Sequence, residues 1–240
     1  MTARRLVLSH GEMAALVERA GVTLPPGLVP EDAALKEREW TPEEEQALAV
    51  NLAVLAKPVA AVRIETAVRG RVLRGLFSVS GNFGASLFPL AGEAVELSLF
   101  SAIDLGRELL RAVPEPADIG ENSVQFALNP GRSEPLTGTV DLADLEWHPW
   151  MPQRGDELAD RARTQTRGSL SALITGRAPD GGVLAGQVAW LLTGTRWTGL
   201  RPIPDDDGTR QVKLEPVDRA DFPTWVAPHL TAVLEAGSAS

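Results

Sequence analysis

The 240-residue chain contains 44% hydrophobic and 23% charged residues, which is typical of a globular protein long enough to bury a full core. It has no cysteine, which excludes disulfides and thiolate metal sites, and its net charge of −9 argues against nucleic acid as a partner. No apolar run reaches the ~18 residues of a membrane span, and the N-terminus lacks the apolar stretch of a signal peptide, so we expect a cytoplasmic protein.

A short strand followed by a helix opens the chain. Residues 5–8 favour a strand because they are mostly apolar. Ser9 and Glu12 have the spacing of a capping box, which favours a helix start, and Gly21 is suited to end that helix. We therefore predict one helix between Ser9 and Gly21.

Two further helices are predicted before Pro58. Residues 31–40 are strongly charged and favour a short helix. Thr41 and Pro42, followed by three glutamates, are typical of a helix start. Thr caps the first turn, Pro fits the first helical position, and the acids face the positive end of the helix dipole.

Four β-rich runs then follow one another with only short turns between them. Such turns are too short for helical crossovers, so neighbouring strands should be antiparallel. The strands are predicted over residues 59–66, 72–79, 83–90 and 94–99. A helix over residues 103–113 closes this unit.

The same pattern returns in the C-terminal half, where helices are predicted over residues 155–166 and 219–236. The strands between them are predicted over residues 170–175, 183–192, 195–202 and 210–214. The predicted fold class is α+β, a quasi-two-fold repeat of an antiparallel four-stranded meander plus a helix, with a central sheet flanked by helices. We predict a single domain, residues 1–240, with halves of about residues 1–116 and 117–236 and a disordered tail over residues 237–240.

Catalytic and metal-binding motifs are lacking in the sequence. It has no Gly-x-Ser-x-Gly elbow, zinc helix, P-loop or glycine-rich dinucleotide motif. Asp205, Asp206 and Asp207 occupy a predicted hairpin turn, where aspartate is favoured by the turn geometry rather than by a cation. The sequence is therefore better suited to binding than to catalysis, and we predict no cofactor and no metal.

His148 is the residue that most suggests chemistry. It lies beside Asp144 and Glu146, where a carboxylate could orient the imidazole, and between Trp147 and Trp150. A loop histidine that packs on two tryptophans explains the same pattern. A small-molecule-binding or enzymatic domain that uses Asp144, Glu146 and His148 therefore stays open as the alternative function.

Six tryptophans and no tyrosine make an uneven aromatic set. Trp190 and Trp197 lie on consecutive predicted strands and Trp225 lies in the last predicted helix, which suits a core between sheet and helix. Tryptophan is also enriched at binding hot spots, which leaves exposure to a partner open. The candidate partner-binding residues are Trp197, Leu200 and Trp225.

Six short segments along nearly the whole chain carry a family resemblance. They are residues 6–13 (LVLSHGEM), 22–26 (VTLPP), 52–58 (LAVLAKP), 161–168, 188–190 (VAW) and 214–218 (LEPVD). Together they resemble the EspG family, the cytoplasmic specificity chaperones of actinobacterial type VII (ESX) secretion. The resemblance implies a quasi-two-fold α+β fold and no enzymatic activity. It also implies a helical secreted substrate of the PE/PPE class, whose apolar tip is covered through the sheet and the C-terminal helical region.

The turn over residues 80–82 is very short, whereas mycobacterial members often extend that region, and the chain is short for the family. A small helical-hairpin protein is therefore kept beside a PE/PPE pair as the expected substrate. A homodimer formed through the same sheet surface is a further alternative.

Overall fold

Ten strands form one antiparallel sheet in this computed structural model, and helices lie on both of its faces. The structure describes residues 4–68, 70–116, 135–145, 156–178, 180–204 and 210–238. The α+β class, with a central antiparallel sheet flanked by helices, is therefore confirmed.

The strands and helices are numbered in chain order. The strands are β1 Arg4–Ser9, β2 Ala60–Val68, β3 Arg71–Ser80, β4 Phe83–Pro89, β5 Ala94–Ser101, β6 Gly138–Asp141, β7 Thr166–Arg177, β8 Val183–Thr193, β9 Arg196–Pro202 and β10 Gln211–Val217. The α-helices are α1 His10–Ala20, α2 Pro42–Ala56, α3 Leu105–Leu109, α4 Leu142–Leu145, α5 Glu157–Gln165 and α6 Phe222–Ser238. Short 3-10 turns flank α3 and precede α6, at Ala102–Asp104, Leu110–Ala112 and Arg219–Asp221.

The strand order across the sheet is β1-β5-β4-β3-β2-β7-β8-β9-β10-β6, and all neighbours are antiparallel. Both predicted meanders are present, as β2–β5 and β7–β10. They meet where β2 pairs with β7, in a register that runs from Ala60 opposite Gly176 to Val68 opposite Gly168. Strand β6, which is not among the predicted strands, pairs with β10 at one edge. The quasi-two-fold relation between the halves stays a prediction.

Helices α3 and α6 close one face of the sheet, which we call the α6 face. Strand side chains alternate between the two faces, so every second residue of the central strands contributes to this core. Its largest buried side chains are Ile64, Phe77, Leu170, Ile174, Trp190, Trp197 and Phe222. Burial of these aromatic rings makes the α6 face the main hydrophobic core.

The opposite face, which we call the α2 face, carries two separate cores. Helices α1 and α2 cover β3, β4 and β5 at one side, where Met13, Leu48 and Leu87 are buried. Helix α5 covers β6 and β10 at the other side, where Ala162 and Leu214 are buried. The two cores therefore lie at opposite ends of one sheet face.

The helix predicted over residues 31–40 is wrong. Residues 33–41 contain no regular secondary structure, and the segment crosses α1 at Gly11. The Lys36 amide donates to the Gly11 carbonyl at 3.1 Å, and a Cβ at Gly11 would lie 2.2 Å from the Ala34 oxygen. The segment is held by this close approach to α1, which overrides its weak local preference for a helix.

Both predicted helix starts are confirmed. Ser9 and Glu12 form a capping box at α1, and Thr41 and Glu44 form another at α2. The backbone hydrogen bond from Ser9 lowers the pKa of Glu12. Helix α6 runs to Ser238, so the predicted disordered tail begins within a helix.

Arg219 ties the two halves of the chain together. Its guanidinium donates to the carbonyls of Leu110 and Val113, both at 2.6 Å, and contacts Glu115 at 2.9 Å. Arg219→Ala should lower the free energy of unfolding by about 1–3 kcal/mol, because carbonyls at a helix end lose a charged donor. Urea unfolding followed by circular dichroism measures this loss.

Arg107→Ala is the matched control, because Arg107 is 65% exposed and pairs only within its own helical turn among the described residues. We expect its effect to stay within about 0.5 kcal/mol. Equal losses for the two variants would mean that Arg219 does not connect the halves.

Candidate partner-binding surface

Trp197, the first of the three predicted anchors, is buried on the α6 face. Only 1% of it is exposed, its indole Nε1 donates to the Pro114 carbonyl at 3.2 Å, and its ring centroid lies 6.2 Å from that of Trp190. A partner on the intact fold has no access to this side chain. The assignment of Trp197 as an exposed anchor is therefore corrected, because the ring belongs to the core.

Trp225 and Leu200 lie on opposite faces of the sheet. Trp225 is half-buried on the α6 face, edge-on to Trp190 at 5.8 Å and beneath the Arg201 guanidinium at 4.3 Å. Leu200 is half-buried on the α2 face, beside the α5 core. The three residues thus form no common surface, and partner contact by Leu200 or Trp225 stays a prediction.

The alternative site around His148 falls largely outside the described residues, as do Glu146, Trp147, Trp150 and the turn over residues 205–207. Asp144 lies in α4, and its carbonyl accepts a hydrogen bond from the Arg163 guanidinium. Within the described ranges, no group of three or more His, Asp or Glu residues could hold a metal ion. In the same ranges, no helix is both long and apolar enough to cross a membrane.

An open surface lies on the α2 face between its two cores. There, no helix of the described residues covers the central strands β2, β7 and β8. We call this surface the central strip. It consists of Arg63, Glu65, Ser169, Ser171, Leu173, Thr175, Val183, Ala185, Gln187 and Ala189, each of which is exposed or half-buried.

The dimensions of the central strip suit one helix. Three strands spaced by about 4.8 Å leave an uncovered width of roughly 15 Å, and a helix with its side chains is about 10–12 Å across. Most residues of the strip on β7 and β8 are small, which lets a helix backbone approach closely. Leu173, which is 45% exposed, and Val183, which is 74% exposed at the start of β8, supply apolar contact area.

Charged side chains from β2 and β3 line one side of the central strip. Arg74 and Glu65 are cross-strand partners, with Arg74 Nε 3.0 Å from Glu65 Oε2. Arg63 Nη2 lies 4.0 Å from the same oxygen and 3.3 Å from the Pro26 carbonyl oxygen. The strip therefore has a small, mostly polar floor, two exposed apolar side chains and a basic border.

Sequence reasoning missed Leu173 and Val183. The sequence signal for this surface is the alternation along β7. There, the buried Leu170, Ala172 and Ile174 point to one face and mostly small polar residues point to the other. A central strand with buried apolar residues on one face and small residues on the other indicates that the second face of the sheet is not covered by a hydrophobic core.

The similarity of this chain to known proteins lies in its structure rather than its sequence. No family model and no curated protein matches the chain. Among solved structures, it is similar to the Mycobacterium tuberculosis type VII secretion system chaperone EspG5, determined in complex with the PE25–PPE41 dimer. The TM-score is 0.61 at 10% sequence identity, over 95% of this chain and 96% of that one.

Two other alignments are weak. The di-domain ARO/CYC StfQ of the steffimycin pathway aligns with a TM-score of 0.17 at 8% identity, over 99% of this chain and 95% of that one. The di-domain ARO/CYC BexL of the BE-7585A pathway aligns with a TM-score of 0.12 at 11% identity, over 100% and 98%. Neither carries structural meaning, whereas the match to EspG5 covers nearly the whole of both chains. The chain therefore has an EspG-like fold.

Proposed function

We propose that this protein is a cytoplasmic, type VII secretion-associated chaperone that binds a helical secreted substrate and keeps it soluble. The central strip is the observation that carries the proposal, and the fold shared with EspG5 supports it. The function is binding rather than catalysis, and it requires no cofactor.

The central strip suits a helix or a helical tip as its occupant. The bound partner helix lies on the α2 face, between the core under α1 and α2 and the core under α5. It thereby completes the helical layer of this face. Its apolar stripe contacts Leu173 and Val183, and its backbone approaches the small residues of β7 and β8. Covering such a stripe keeps the substrate soluble, because exposed apolar patches promote association.

The substrate class is a further part of the proposal. The solved structure of EspG5 contains a PE25–PPE41 dimer. We propose a substrate of similar shape for this chain, either a PE/PPE-like pair or a small helical-hairpin protein. Either one presents paired helices whose tip fits the width of the central strip.

Leu173→Asp should weaken substrate binding by roughly 10- to 100-fold, because a charge then faces the apolar stripe of the helix. The tagged protein is used to capture partners from its own cytoplasm, and recovered proteins are identified by mass spectrometry. We expect one small helical secreted protein in stoichiometric amount with the unchanged chain and strongly reduced recovery with Leu173→Asp.

Ile103→Asp is the matched control, because Ile103 is 91% exposed in the turn before α3, on the side of the α6 face. It should capture the substrate as well as the unchanged chain does. Equal recovery by Leu173→Asp would refute docking on the central strip. Recovery of no helical protein would refute the chaperone function. The mass of the free chain measured by light scattering tests the homodimer.

A further inference from the structure

The basic border of the central strip consists of two arginines that share one carboxylate. Arg63 and Arg74 both contact Glu65 Oε2, at 4.0 and 3.0 Å. One positive charge is therefore left unbalanced at this border, in a chain whose net charge is −9. A local charge opposite in sign to that of the whole protein is a basis for selecting an acidic group.

We propose that the helical partner carries a carboxylate beside its apolar contact residue, and that Arg63 and Arg74 bind this carboxylate. The inference rests on the function proposed above, and it names the chemistry that the central strip selects. The partner is thus acidic at one position of its contact face.

The guanidinium groups retain hydrogen-bonding capacity. Arg74 donates from Nε to Glu65, and Arg63 donates from Nη2 to the Pro26 carbonyl. A guanidinium has five N–H donors, so most donors of the pair have no acceptor among the described residues. Guanidinium N–H groups bind a carboxylate in a two-bond fork, which gives both strength and orientation.

The loop before α2 holds Arg74 in place. Gly27 has a φ of +81°, and a Cβ there would lie 2.8 Å from Arg74 Nη1. The loop backbone therefore packs directly against the guanidinium. Because about one-third of each arginine side chain is still exposed, at 34% for Arg63 and 32% for Arg74, the pair is oriented and accessible.

The apolar contact lies next to the charged one. Leu173 is directly opposite Arg63 in the β2–β7 register, and Cβ atoms of such pairs are about 4.5–5.5 Å apart. Residues three or four positions apart on a helix are about 5–6 Å apart on one face. A partner helix with Asp or Glu three or four residues from Leu, Ile, Met or Phe therefore matches both contacts at once.

A display library of a two-helix hairpin with a randomised tip tests the proposal. The library is selected on the unchanged protein, and the selected tips should be enriched in Asp or Glu beside an apolar residue. In individual hairpins, exchange of that Glu for Gln should weaken binding by about 10-fold at low ionic strength. The difference should shrink as salt is added.

The Arg63→Gln/Arg74→Gln double variant should bind the Glu and Gln hairpins equally. Arg19→Gln/Arg107→Gln is the matched control, because it removes the same charge from exposed positions outside the strip. It should keep the preference for Glu. Circular dichroism confirms that both variants are folded.

The outcomes separate this inference from the proposed function. Some hairpins could lose binding to the Leu173→Asp variant, yet bind the unchanged protein equally well with Glu or Gln at the tip. This result would overturn the carboxylate recognition but not docking on the strip. A preference for Lys at that position would overturn it as well. Failure to select any hairpin, or selection of hairpins that bind Leu173→Asp unchanged, would overturn docking on the strip itself.

Discussion

Trp190→Ala should lower the free energy of unfolding by about 3–5 kcal/mol. Trp190 is fully buried at the centre of the α6 face. Its ring lies 5.2 Å from that of Phe222 and contacts Trp197 and Trp225. Truncation leaves a cavity bordered by three aromatic rings. The expected loss is a large part of the total free energy of unfolding, which is roughly 5–15 kcal/mol for a typical domain. Urea unfolding followed by tryptophan fluorescence and circular dichroism measures it.

Trp190→Phe is the control for this prediction. It keeps an aromatic ring in the core and removes the indole Nε1, which has no hydrogen-bond partner among the described residues. We expect less than half the loss caused by alanine, because the unpaired donor disappears while most of the packing remains. A loss below about 1 kcal/mol for Trp190→Ala would contradict the packing of the α6 face.

Glu108→Ala should cost about 2–4 kcal/mol of stability. Glu108 is only 1% exposed and accepts hydrogen bonds from Arg111 at 3.1 Å and Arg5 at 3.4 Å. Removing one partner of a buried pair leaves an uncompensated charge, which costs about 3–5 kcal/mol when fully buried. The two arginines are partly exposed, at 29% and 45%, so solvent reduces this cost. Thermal and urea unfolding of the variant give the value.

Arg111 shows how this network is balanced. Burial disfavours its charge, but hydrogen bonds to Glu96 and Glu108 outweigh burial and raise the pKa of Arg111. Glu93→Ala is the control, because Glu93 is exposed and its side chain has no ion pair among the described residues. A cost for Glu108→Ala no greater than for Glu93→Ala would mean that Glu108 contributes nothing to the packing of α3 on the sheet.

The two faces of the sheet differ in a way that bears on the proposed function. The α6 face is closed by aromatic packing around Trp190 and by the contacts of Arg219. The α2 face has its helices at the two sides and leaves the central strip between them. Under the proposed function, a sheet packed from one side offers its other side to a partner already ordered, which would limit the entropy lost on binding.

Sequence reasoning identified those elements that depend on near neighbours. The capping boxes at Ser9 and Thr41 are formed within four residues, and the short turns of both meanders leave antiparallel pairing as the only connection. These local features are sufficient to predict the α+β class. Strand β6 was missed because its four residues are too few to show an alternating pattern. Its partner strand β10 is also far away in the sequence.

The path of residues 31–40 and the burial of the tryptophans could not be predicted from the local sequence pattern. The charge of residues 31–40 favours a helix, but contact with α1 at Gly11 determines their path. The odd spacing of Trp197 and Leu200 already places them on opposite faces of a strand. Which of those faces is covered depends on where α6 and α5 pack.

The sequence by itself thus determined the order of strands within each meander, their antiparallel pairing and the absence of catalytic motifs. Only the tertiary structure decided that Trp197 is core, that Leu173 is exposed, and that Arg63 and Arg74 share Glu65 beside it. The physical reason is that burial and charge pairing depend on elements far apart in the chain, whereas caps, turns and strand alternation are set by residues close together.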